Sequence, residues 1–127
     1  MKVEWLLRIG VAGEFVGHGL LAYGGKADWV KWIQMMLNVD APTATMLLLL
    51  IGISDLIVAA IVLFKPIRAV LLWAAFWGFW TALVRPIVMY MGDTHVGWLD
   101  FIERFANFAA PLALYYLLPA GESKQSK

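Results

Sequence analysis

Residues 43–64, TATMLLLLIGISDLIVAAIVLF, contain a single ionisable side chain, Asp55. A helix needs roughly 20 mostly apolar residues to cross a bilayer, and this stretch supplies them. Pro42 precedes it, and Lys65 and Pro66 stop it. Three further segments repeat the pattern less purely, at about 4–24, 67–91 and 98–118. The last ends at Pro119, whose ring cannot continue a helix. These segments predict an all-α fold, an integral membrane four-helix bundle forming one domain over 1–118, with a polar C-terminal tail over 119–127. Lys2 resembles the start of a signal peptide. Arg8 and Glu14 interrupt the apolar region, however, and no clear A-x-A site follows, so the first segment is expected to be a retained span.

Composition supports this class. Of 127 residues, 62% are hydrophobic and 15% charged, with a mean hydropathy of +0.76, more apolar surface than a soluble domain of this size hides. Seven tryptophans suit the bilayer interface. The net charge is +1 and no basic patch is present, so no nucleic-acid partner is expected. The absence of cysteine removes disulfide exchange, thiolate metal sites and iron–sulfur clusters.

Lysine and arginine outside the spans set the expected orientation. Lys2, Lys65, Arg68, Lys124 and Lys127 share one side. Lys26 and Lys31 lie on the other, offset by Asp28 and Asp40. Both termini are therefore expected in the cytoplasm, in a multi-pass protein of a cell inner membrane. Within 28–38, Trp29, Ile33, Met36 and Leu37 follow an i, i+4, i+7, i+8 pattern, which predicts a short amphipathic helix on the outer interface.

Helical projection gathers the polar residues of each span onto one face. The first span aligns Gly10, Glu14, Gly17 and His18, and its Gly13–Gly17 pair is expected to admit a close helix neighbour. The second contributes Asp55 beside Gly52 and Ala59, and the third Arg85 beside Gly78 and Thr81, with a kink expected at Pro86. The fourth carries Asp100, Glu103, Arg104 and Asn107 ahead of Pro111. Ionisable groups at the bilayer centre cost ~2.5–3.5 kcal/mol each, so these are expected to face one another. His18, Arg85, Glu103, Arg104 and Asn107 fall roughly 6–12 Å from the outer helix ends, with Glu14 and Asp55 deeper. The expected site is a ligand-binding or proton-handling pocket in the outer half. Glu14, Asp55 and Glu103 face two arginines there, which leaves one proton to be shared within the network. Trp77 and Trp80 are candidate aromatic lining for a planar ligand, with core packing as the alternative. Glu14-x-x-x-His18 has metal-ligand spacing, but two ligands complete no zinc site and no metal is expected.

The run LLRIGVAGEFVGHGLLA resembles the first helix of DoxX-like membrane proteins, in which Arg8, Phe15, His18 and Gly19 match the family's arginine, aromatic and His-Gly positions. GISDLIVAA, with Asp55, and ERFANFAAPLAL, with Glu103, Arg104, Asn107 and Pro111, also fit, so the resemblance spans nearly the whole chain. Ala22 stands where many relatives carry a lysine, and the cysteines of the redox-linked branches are absent. The resemblance implies four spans and a buried polar site. It also implies likeness to a small subunit of quinone-linked oxidation, while distant relatives are cargo receptors or assembly factors.

The leading expectation is a bacterial or archaeal membrane protein that binds a quinone or another lipid-soluble, amphipathic ligand. Beyond the bilayer, a redox or membrane protein partner and a homo-oligomer are the associations considered. In a redox version, His18 and Glu14 handle the proton, Arg85 holds a developing oxyanion, and a partner supplies the electrons. The alternative is a non-catalytic accessory or assembly subunit whose buried charges fix helix register. Proton-coupled transport ranks third, since no internal repeat is evident.

Overall fold

A computed structural model describes residues 2–119, and the predicted tail beyond Pro119 lies outside the described residues. Among the described residues the fold is all-helical: α1 (Lys2–Tyr23), α2 (Ala27–Leu37), α3 (Ala41–Phe64), α4 (Arg68–Tyr90), α5 (Trp98–Ile102) and α6 (Ala106–Leu117). Two of them, α3 and α4, are long and apolar enough to cross a membrane. The first predicted span, α1, is nearly as long as these but carries Lys2, Glu4, Arg8 and Glu14.

Local chemistry explains the boundaries. The Asp40 side chain accepts from the Thr43 amide at 2.9 Å and caps α3. Asn38 ends α2 in the left-handed region, at φ 56°, a conformation its short polar side chain tolerates. At the far end of the bundle, Arg8 donates to the carbonyls of Val62 and Leu63, two of the carbonyls that the end of α3 leaves open. Arg68 does the same for α6, donating to Tyr115 and Leu118 at 3.0 and 2.7 Å.

The helices pack as two pairs, α1 on α3 and α4 on α6, with α1 also meeting α6, whereas α3 and α4 touch only lightly. The shared core includes Val11, Phe15, Val62, Leu71 and Leu114. Backbones come closest at two glycines. A Cβ on Gly52 would stand 2.7 Å from the Gly19 carbonyl oxygen, and one on Gly78 would overlap the Asn107 carbonyl. Gly13 and Gly17, expected to admit a neighbouring helix, have nothing within 4 Å. The crossing falls instead at Gly19, because α3 approaches the face of α1 that carries Val11, Ala12, Phe15 and Ala22.

The fourth predicted span is not one uninterrupted α-helix. Between α5 and α6 the amides of Arg104, Phe105, Asn107 and Phe108 each bond to the carbonyl three residues back, a 3₁₀ tightening. Pro111 adds a second irregularity, since it has no N–H for the Asn107 carbonyl. That carbonyl is pressed against Gly78, where the missing side chain leaves room for it. By contrast α4 continues through Pro86 as a single helix.

Candidate functional site

The end of the bundle opposite Arg8 and Arg68 holds a cavity of about 230 Å³ between α1, α2, α3 and α4. Its roof is α2, whose Trp29, Ile33, Met36 and Leu37, the apolar face read from the sequence, all line it together with Trp32. An apolar cavity of 150 Å³ admits benzene, so this one has the volume for a substituted single ring. Trp77 and Trp80 form part of its α4 wall, in the lining positions expected of them.

Three ionisable residues border the cavity: His18 from α1, Asp55 from α3 and Arg85 from α4. Asp55 is 3% exposed and Arg85 is 5% exposed. No donor lies within hydrogen-bonding distance of the Asp55 carboxyl among the described residues. Arg85 donates to the Thr81 carbonyl one turn back and faces the Trp32 ring at 5.1 Å, but it pairs with no carboxylate among the described residues. A buried carboxyl and a buried guanidinium thus line one cavity and leave each other unpaired. A buried polar group without a partner costs ~1–3 kcal/mol, and more when it is charged. His18 meets the Trp29 ring edge-on at 5.5 Å. Among the described residues it makes no direct hydrogen bond to Glu14, Arg85 or the Glu103–Asn107 stripe; it shares the cavity wall with Arg85, whereas the sequence suggested hydrogen-bonding or water-bridged reach of one of these groups.

The remaining expected site residues stand back from the cavity. Glu14 is half-buried on α1, near enough to Asp55 to feel its charge. Arg104 lies within electrostatic range of both His18 and Arg85. It donates at 2.7 Å to Glu103, whose side chain is 63% exposed. Glu103 therefore does not face the interior, and the three-back bonds that begin at Arg104 break the single stripe that α-helical spacing predicts. Asn107 is half-buried, and its carbonyl meets Gly78.

Sequence reasoning missed the contact that holds the roof. The Trp32 indole donates to the Asp93 carboxylate at 2.8 Å, which ties α2 to the loop after α4. The same carboxylate accepts the His95 amide at 3.0 Å. That amide first, and the indole second, hold the Asp93 carboxyl below the usual carboxylate range. The GDTH stretch is a recognisable turn in which an aspartate accepts from an amide two residues on, but nothing local points to a tryptophan 61 positions away. Comparison with protein families, curated proteins and solved structures finds no match to this chain.

Proposed function

We propose that the chain is a DoxX-like inner-membrane protein that crosses the bilayer four times and binds a small amphipathic ring, such as a quinone, under α2. The unpaired Asp55 and Arg85 on a tryptophan-lined cavity carry this reading. A quinone or quinol brings a ring for the indoles, oxygen acceptors for Arg85 and, when reduced, a hydroxyl donor for Asp55. Asp55 thereby takes the proton-handling place that the sequence offered to Glu14, with His18 at the same wall. In a redox system the electrons come from a partner protein.

Burial favours the membrane setting. Only 33% and 39% of the apolar windows of α3 and α4 are buried, whereas a soluble core helix is mostly buried. Leu6, Ile9, Val16, Leu50, Ile57, Phe76 and Leu99 turn large apolar side chains outward, a surface that lipid covers. The path from Trp98 to Leu117 spans roughly 30 Å at helical rise, enough for a fourth crossing. In this arrangement the termini, Arg8 and Arg68 lie on the cytoplasmic side, and α2 lies along the outer interface.

The test is titration of a one-isoprene benzoquinone into the protein in lipid nanodiscs, followed by tryptophan quenching. Saturable quenching that weakens at least tenfold in Arg85→Gln is expected. Quenching that rises linearly, as for partition into lipid alone, would refute the binding function.

A further inference from the structure

On its α3–α4 side the cavity adjoins further hollows. A second hollow, bounded by Leu37, Leu50, Ser54 and Trp73, shares Asp55 and Trp77 with it. This hollow in turn shares Leu50, Ser54 and Trp73 with a groove that runs along α3 and α4 to Ile61 and Val70. These hollows follow from the packing, since α1 grips α3 and α4 grips α6 while α3 and α4 barely meet. Small side chains at Ser54 and Ala69 keep the seam hollow, and Trp73 stacks on Trp77 at 5.4 Å as one wall. From Asp55 to Ile61 the seam descends roughly 9 Å at helical rise.

We infer that the ligand is a single-tailed amphiphile, with its polar ring at Asp55 and Arg85 and its hydrocarbon tail lying in the α3–α4 seam. The inference rests on the binding function proposed above and adds the tail and the route of entry. Continuity decides the occupant: a hydrocarbon chain in this groove has its polar end at the one buried carboxyl facing it. A tail moving from bilayer to seam exchanges one apolar setting for another, so the seam selects by shape more than by hydrophobic gain. Lateral entry keeps the roof shut, so Trp32 stays bonded to Asp93 while the ring arrives from the membrane.

The experiment compares two benzoquinones in nanodiscs, one with a single isoprene unit and one with a long isoprenoid tail, on the parent, Ser54→Phe and Ala69→Phe. Both substituted positions are exposed along the seam, so the larger side chain fills the groove and spares the core. The expected result is at least a tenfold weakening for the long-tailed quinone and less than a twofold change for the short one. Equal binding of both quinones by both variants overturns the seam assignment and leaves the cavity function standing. Loss of both quinones in variants with parental helix content and melting temperature also overturns it, since the ring itself would then be displaced. Failure of the parent to bind either quinone defeats the underlying function.

Discussion

Asp55 is the residue on which stability and the proposed function pull in opposite directions. Its carboxyl is 3% exposed with no donor among the described residues, in a helix otherwise built of hydrocarbon and small side chains. A stability-only fold would place a leucine there, because removing an unsatisfied buried group relieves its desolvation cost. Asp55→Leu is therefore expected to raise thermal stability by ~1–3 kcal/mol, read from unfolding in mild detergent. A clear loss of stability would mean that the carboxyl holds helices together. Arg8 shows the contrasting case, since its guanidinium is consumed by α3 carbonyls, by Glu4 at 3.2 Å and by stacking on Trp5. Both residues stood out in the sequence as charges in apolar runs. What separates them is the partner list, which depends on residues some 54 positions apart for Arg8 and which no local pattern encodes.

At the scale of elements, glycines divide by what stands opposite them. Gly78→Ala is expected to destabilise markedly, because its methyl would overlap the Asn107 carbonyl and force α4 from α6. Gly17→Ala meets nothing within 4 Å and is expected to be neutral or to stabilise by up to about 1 kcal/mol through helix propensity. Equal effects of the two substitutions in thermal unfolding would contradict the packing. The helical period revealed which segments are helices and which face of α2 is apolar. It could not reveal that α3 would choose Gly19 over the Gly13–Gly17 pair, because that choice is made by the partner helix. Nor could it place Glu103, since the 3₁₀ tightening at 103–105 reflects where α6 meets Gly78. The α2 roof is pH-sensitive in a direction the structure fixes. The Asp93 carboxyl is held low chiefly by the His95 amide and next by the Trp32 indole. Its contribution is therefore present above the ordinary aspartate pKa of ~3.9 and is lost as pH falls through the lower folded value. Hydrogen-exchange protection of α2 should hold from neutral pH to the aspartate range and drop only below it. Asp93→Asn should show that loss at neutral pH, and a protected α2 in this variant would mean that the Trp32–Asp93 bond does not hold the roof.

As a whole, the molecule is two helix pairs joined along one side and left open along the other, with capping arginines at one end and an unpaired carboxyl and guanidinium at the other. Charge is satisfied where it fastens helices and left unsatisfied where the cavity lies, the distribution expected when a fold gives up stability at a working site. A bundle whose charges only fix register would show the reverse, with Asp55 and Arg85 bonded to each other. The most direct measurement is a titration of the one-isoprene benzoquinone into parent and Asp55→Leu protein side by side in nanodiscs, with melting temperatures recorded on the same samples. The expected result is a variant that melts higher than the parent and binds at least tenfold more weakly. A variant that binds as the parent does, or that melts lower than the parent, would contradict it.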